Sequence, residues 1–391
     1  MEHVLRNENF IVEYIDTPEL LDKCIQELET AKEMAFDLEF DRNKNSYGFN
    51  LCLIQVATAQ KCFVIDPVAK IKPDALFRLF ERPDILKVVH SPGEDLRLLH
   101  SLRCYPKNIF DIQIGARLLN YELISLGNLL DAVLGITADK KLQTSNWSKR
   151  PLTEEQVLYS SNDVIYLLRI KDEMIKQARA KNVLSFIEEE CGFLETTIYD
   201  DESKENFLKE GERNSLSDYH QFVLNGLLKF RDSKAQKANK PAAWLIPNDM
   251  VREVAFGKLS IDTFLDWKGI YPGIKTPKFK AEFLNEFETL NRDAKDLSKK
   301  SKFNFLTDAE KRERTRMKEE NEKIKEEKFK PIQQELERLY GTHTGKYILG
   351  EGVVGRILRK ESRISDMKEN YRKALIASIA TGLNIDITDF I

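Results

Sequence analysis

MAFDLEF, residues 34–40, alternates apolar and acidic side chains in a run with strand character. Successive side chains of a strand point to opposite faces, so Asp37 and Glu39 project together to one side while Phe36, Leu38 and Phe40 face the other. Working outward, residues 10–15, 51–57, 61–66 and 85–90 are further short apolar or β-branched runs, whereas residues 18–30 and 92–101 carry helical spacing. The pattern predicts an α/β domain from Met1 to about Glu195. Taken alone, an Asp-x-Glu pair on a strand is more often a pair of solvated acids than a site.

Two other stretches change that balance. In HSPGEDLRLL, residues 90–99, Ser91 reads as an N-cap, Pro92 as the first helical residue and Glu94 as the acid that completes the start, which places Asp95 in the first turn. The helix dipole favours a carboxylate there in any protein. In NWSKRPLTEEQVLYSSNDVIYLL, residues 146–168, Thr153 and Gln156 spell a capping box, and Leu152 with Val157 a hydrophobic staple. The helix this predicts from about Glu154 carries Tyr159 and, four residues on, Asp163, hence on one face. Each signal has an ordinary structural explanation; together they share a chemical one. An oxygen-only set without His or Cys suits hard cations such as Mg²⁺ or Mn²⁺ rather than zinc. Four carboxylates can hold two such ions about 3.5–4 Å apart, the arrangement that clamps the attacking and leaving oxygens of a phosphoryl displacement. Tyr159 would orient the attacking water, since a phenol with a pKa of about 10 is a poor base at neutral pH.

The run AFDLEF, the segment HSPGEDLRLL and the run from Asn146 to Leu168, with Trp147, Arg150, Pro151 and Leu152 in it, resemble the three motifs of ribonuclease D in the DEDD superfamily of 3′-5′ exonucleases. Tyr159-x-x-x-Asp163 points to the tyrosine branch. The resemblance covers roughly the first half of the chain and departs from the family pattern at Pro92 and Gly93. It implies a ribonuclease-H-like mixed sheet flanked by helices, followed by all-α modules. It further implies Asp37, Glu39, Asp95 and Asp163 as ligands of two divalent ions, Mg²⁺ or Mn²⁺, Tyr159 as the water-positioning group, and nucleic-acid contacts at Phe40 and His90. The expected activity is trimming of single-stranded 3′ ends of structured RNA, with tRNA precursors the implied substrate. A DNA exonuclease on the same scaffold and a catalytically silent RNA-binding protein are the alternatives.

Past Glu195 strand-like runs cease, and the rest divides by composition. Residues 216–292 resemble the helical nucleic-acid-binding module of helicases and ribonuclease D (HRDC). Within it Arg231, Lys234, Lys237 and Lys240 recur every third residue as a candidate phosphate-binding stripe, with Trp244 a candidate stacking surface. Residues 293–330 form a Lys/Arg/Glu-rich spacer, helical or disordered, with Glu310/Arg314, Glu319/Lys323 and Glu326/Lys330 at pairing separation. Apolar residues return from Pro331, and residues 331–391 resemble a second, degenerate HRDC-like unit. There Gly350, Gly352 and Gly355 spell G-x-G-x-x-G outside any βαβ setting. It reads as a loop and helix-packing feature, so no nucleotide cofactor is expected.

Net charge excludes little: 61 Lys and Arg nearly balance 64 Asp and Glu, so a nucleic-acid partner needs a local basic surface. Five scattered cysteines without a C-x-x-C pair argue against a disulfide framework or structural zinc. The acid-containing N-terminus is unlike a signal peptide and no run approaches membrane-spanning length. A cytoplasmic protein with no membrane partner is the expectation.

Overall fold

The computed structural model describes residues 3–7, 9–137, 142, 145–199, 205–300, 302 and 307–391, so part of the charged spacer lies outside the described residues. Seven strands, β1 (Val4–Asn7), β2 (Phe10–Ile15), β3 (Glu33–Arg42), β4 (Phe49–Ala57), β5 (Lys61–Ile65), β6 (Leu86–Val89) and β7 (Ile109–Asp111), form one mixed sheet in the order β1-β2-β5-β4-β3-β6-β7. β3 runs antiparallel to β4 and parallel to β6, which in turn is parallel to β7. β1 and β7 have no counterpart in the sequence reading. They are three or four residues long, too short for alternation to register.

The sheet separates two apolar layers. Phe36, Leu38, Ile54, Val56 and Phe63 pack on the helices Pro18–Leu28, Asp74–Phe80 and Gly93–Ser101. On the opposite face Val12, Ala35, Leu53, Val64 and Val88 meet the helices Ile112–Leu118, Glu154–Ser161, Leu167–Ala180 and Leu184–Thr196. The strand alternation therefore directs Asp37 and Glu39 toward the second face, between Ala35 and the helices that follow β7.

Two helix starts bear on the site. The Thr153 hydroxyl accepts from the Gln156 N–H at 3.2 Å, and the Gln156 side chain accepts from the Thr153 N–H at 3.0 Å, so this capping box is complete. The other start is corrected: the helix opens at Gly93 with Pro92 as its cap, and Ser91 makes no cap. The reversal from β6 into the helix holds Ser91 at φ 55°, and its N–H is donated to Asp111 Oδ1 at 2.8 Å.

Beyond the sheet, residues between Leu208 and Ala294 build a separate helical core around Leu224, Leu227, Phe264 and Phe283. The β3–β4 connection docks on it: Tyr47 Oη donates to Asp232 at 2.5 Å, and the Tyr47 N–H to Asn239 Oδ1 at 3.2 Å. The spacer contains an exposed helix, Asp308–Ile324, with a Thr307–Glu310 capping box. Of the three charge pairs expected there, Glu326–Lys330 is formed, at 2.5 Å; Glu310 is turned back to the cap. The last helices, among them Lys330–Tyr340, Glu351–Leu358 and Asn370–Gly382, do not form a core of their own. Their Phe329, Ile332, Leu336, Ile348 and Ile376 complete the apolar layer on the acid-bearing face of the sheet. A buried polar latch fastens them: Glu190 accepts from Arg372 Nη2 at 2.7 Å and from the hydroxyls of Tyr347 and Tyr371. All five cysteines are buried free thiols. Among the described residues no helix is long and apolar enough to cross a membrane.

Candidate active site

β6 accompanies β3 only as far as Ala35, whose partner is Val88, so past this point β3 is paired on the β4 side alone. Into the space so opened comes the first turn of helix Gly93–Ser101, and the Leu38 N–H favours the charged form of the Asp95 carboxyl. Strand ending and helix start together bring Asp95 to the two acids of β3. On the far side, helix Glu154–Ser161 carries Tyr159. Asp163 lies beyond its end, a second departure from expectation: after Ser161 the chain tightens into i→i+3 turns, with Asp163 N–H bonded to Ser160 O at 3.4 Å. The tightening still carries Asp163 to the cluster. One carboxylate oxygen from each of Asp37, Glu39 and Asp163 lies within 4.8 Å of the others, all three residues being half-buried. Asp95, 8% exposed, stands beside this triangle.

The four acids crowd like charges together. Burial, followed by the charges of Asp95, Asp163 and Glu39, holds the Asp37 carboxyl well above the ordinary range. Burial and then Asp163 and Asp95 push Glu39 up to about 8, and burial raises Asp95 to about 7 and Asp163 to about 6. Crowding like charges in a partly desolvated site is unfavourable unless positive charge offsets it. Among the described residues no cationic side chain is a leading influence on any of the four. An all-oxygen donor set fits hard divalent cations, and these four acids are the residues that could hold them.

Tyr159 is held from behind. Its ring lies 6.4 Å from that of Trp147 at an interplanar angle of 26°. Trp147 is placed by Arg150, whose guanidinium donates to the Trp147 carbonyl at 2.6 Å and the Cys52 carbonyl at 2.8 Å, and grips both oxygens of Asp66 at 2.5 Å. Asp66 is fully buried and also accepts the Tyr14 hydroxyl and the N–H of Val68 at 2.9 Å. Sequence reasoning noted Trp147 and Arg150 but not their partners, because Asp66 and Tyr14 lie far away along the chain. It also missed Asp111, a buried acid that caps helix Ile112–Leu118 through the Gln113 N–H at 2.8 Å and holds Ser91. Asp followed two residues later by a helix-starting Gln was the available signal.

The expected nucleic-acid contacts fare unevenly. His90 Nε2 donates to the Ile124 carbonyl at 2.9 Å, and Phe40 packs edge-on against Phe49 at 5.0 Å. The basic stripe is corrected. Arg231 is buried and donates from Nη1 to the Ile246 carbonyl at 2.7 Å, while Lys234 is ion-paired to Glu282. A three-residue spacing drifts about 60° backward per step around a helix of 3.6 residues per turn, so such a row starts inside and emerges gradually. Lys237 is exposed, Lys240 half-exposed, and Trp244 52% exposed.

A mixed sheet whose inner strand β3 presents two acids beside a third at a strand-to-helix junction and a fourth past a late helix has ribonuclease-H-like architecture. The 3′-5′ exonuclease family model matches residues 12–179, and through this region the chain is similar to that family. Its relatives include ribonuclease D of Sphingobium indicum, 33% identical over 231 residues that cover 57% of this chain and 58% of that enzyme. Ribonuclease D of Xanthomonas oryzae is 29% identical over 275 residues, covering 68% and 73%. The match thus spans little more than half the length of the Sphingobium relative. Among solved structures, Escherichia coli RNase D shares the fold with a TM-score of 0.68 at 18% identity, covering 95% of this chain and 99% of that one. The catalytic core of RRP6 from Trypanosoma brucei does so with 0.63 at 24% identity, covering 74% and 81%.

Proposed function

We propose that the protein is a metal-dependent 3′-5′ exoribonuclease that trims the single-stranded 3′ ends of structured RNA, tRNA precursors being the substrate class its ribonuclease D relatives suggest. The observation that carries this reading is the half-buried cluster of Asp37, Glu39 and Asp163, with the buried Asp95 beside it, whose like charges repel one another. Asp37, Glu39, Asp95 and Asp163 would hold two divalent ions, Mg²⁺ or Mn²⁺. Bound there, such ions supply positive charge to both the attacking and the leaving oxygen of phosphodiester hydrolysis. The chain's own groups do the rest. The four carboxylates fix position through strand β3 and two helix ends that the sheet holds rigid. Tyr159, braced by Trp147, directs its hydroxyl at the attacking water and orients it. The helical unit between residues 208 and 294 is an HRDC-like module, with Lys237, Lys240 and Trp244 available for RNA. The cluster of a cytoplasmic enzyme of this kind needs no nucleotide cofactor.

The test is a time course on a 3′-extended structured RNA and a matched DNA, resolved at single-nucleotide length, with Mg²⁺, Mn²⁺ or EDTA. Stepwise loss from the 3′ end of the RNA, abolished by EDTA, is the expected result. Preference for the DNA, or binding without cleavage that Asp37→Asn leaves unaltered, would overturn the assignment.

A further inference from the structure

A cleft of about 420 Å³ lies between the exonuclease region and the last helices, with Arg117, Glu122 and Ile124 on one wall and His343, Lys346 and Arg356 on the other. Three permanent cations face one carboxylate, in a chain whose net charge is −3. The contrast with neighbouring surface is sharp. Nearby cations are paired: Lys325 with Glu322, Lys330 with Glu326, Arg338 with Glu335 and Arg359 with Glu361. Among the described residues Lys346 and Arg356, both exposed, form no ion pair, although Glu361 feels the charge of Arg356. Arg117 rests over the Tyr347 ring at 5.1 Å and donates only to the neutral Gln113, at 3.2 Å. Arg117 also acts at longer range on the buried Asp111, yet among the described residues none of the three cations is locked in an ion pair, which leaves a concave positive surface.

The walls are preformed. Asn120 Oδ1 accepts the His343 N–H at 2.7 Å and the Thr344 N–H at 3.2 Å, and the Thr344 hydroxyl donates to the Arg117 carbonyl at 2.8 Å. Two of the three glycines of the G-x-G-x-x-G run, Gly350 and Gly352, line the same cleft. A Cβ at position 350 would fall 2.3 Å from the Lys346 carbonyl oxygen, so glycine is required for the close turn that presents Lys346. The cleft also adjoins the catalytic cluster. Ile124, on its wall, accepts the His90 hydrogen bond, and His90 lies between the end of β6 and the helix that carries Asp95.

We infer that this cleft, walled by Arg117 on one side and Lys346 and Arg356 on the other, binds the phosphate backbone of the RNA strand upstream of its 3′ terminus. The inference rests on the exoribonuclease reading and adds a second anchoring point to it. Cations that meet the backbone read phosphate and not sequence, and the Tyr121 and Tyr347 rings in the same lining would stack any base alike, which suits an enzyme that must pass successive nucleotides through one site. Three such contacts on a single strand contribute about 2 to the slope of log affinity against log salt, or about sixteenfold in affinity between roughly 50 and 200 mM salt.

The experiment uses the full chain and the triple variant Arg117→Gln, Lys346→Gln, Arg356→Gln, both checked by thermal melting. Binding of a single-stranded RNA 12-mer is measured by fluorescence anisotropy across salt with Ca²⁺, and kcat/KM is measured with Mg²⁺ for the 12-mer and for a dinucleotide too short to reach the cleft. The triple variant should lose about 2 from the salt slope, and its ratio of kcat/KM for 12-mer over dinucleotide should fall about tenfold. The variant Lys346→Arg, Arg356→Lys should restore most of the slope. An unchanged slope and ratio, in a variant that melts like the parent, would overturn the inference while leaving the exonuclease reading intact. A parent that binds the 12-mer with the steep slope yet degrades neither RNA would sustain the cleft and sink the exonuclease reading.

Discussion

Replacing Arg150 by alanine should destabilise the protein far more than an ordinary surface substitution. The guanidinium grips both oxygens of Asp66, which is 0% exposed, and donates as well to the carbonyls of Trp147 and Cys52. Removing one member of a buried pair leaves an uncompensated charge, at a cost of about 3–5 kcal/mol. For a cooperative unit of roughly 150–250 residues each kcal/mol lowers Tm by about 2–4 °C, so the variant should melt about 6–20 °C lower. Asp66 keeps the Tyr14 hydroxyl and the Val68 N–H, which places the expected loss toward the lower end of that range. Urea unfolding of the parent, Arg150→Ala, Asp66→Asn and the double variant gives the coupling energy directly. The double variant should be less destabilised than the sum of the singles by at least about 2 kcal/mol. Additive singles, or an Arg150→Ala loss under about 1 kcal/mol, would refute the reasoning. Because Arg150 places Trp147, and Trp147 backs Tyr159, the variant should also lose kcat at a temperature where it remains folded.

Asp37→Asn and Asp163→Asn should each lower kcat by several orders of magnitude and, in EDTA, raise Tm, since each removes one of the mutually repelling charges; activity assays and paired melts with and without Mg²⁺ check both halves. Tyr159→Phe should cost less in kcat than either, because it removes an orienting hydroxyl and no ligand; equal losses at saturating metal would contradict its role. Lys87 is fully buried, and burial lowers its ammonium to about 8. A folded-state pKa below the unfolded value of 10.5 means that the unfolded chain binds more protons between about pH 8 and 10.5, so stability rises with pH across that window. Its bonds to the Ile85 and Arg82 carbonyls moderate the gain to about 2 kcal/mol. Denaturant melts at pH 7.5 and 10.5 should show that increment in the parent relative to Lys87→Met, and parallel curves would count against it.

How much of this was legible before the fold was known depended on the range of the forces involved. The strand Phe10–Ile15 and the Thr153–Gln156 capping box come from interactions within a few residues, and alternation or cap chemistry reveals them directly. The acids of β3 were visible because period two puts them on one face. The failures have a common cause. Ser91 reads as a cap until the partner that claims its N–H, Asp111, is seen twenty residues on. Arg231 reads as surface until the Ile246 carbonyl draws it inward. The apolar spacing after Pro331 announces helices but not the sheet face they cover. Arg117, Lys346 and Arg356 form no motif at all, because only tertiary structure brings their two segments together.

The latch at Glu190 gives the closing helices a standing that motif boundaries conceal. Tyr347, Tyr371 and Arg372 all converge on that one carboxylate, and Phe329, Ile332 and Ile376 lie in the same apolar layer as Val88 and Val157. A protein truncated before Lys330 would strand an anion in hydrocarbon and open an oily plane on the acid-bearing face of its sheet. The segment that the acid cluster needs is therefore shorter than the segment that folding needs, and an insertion or proteolytic nick near the carboxyl end should disturb the face that carries the acids without touching a motif.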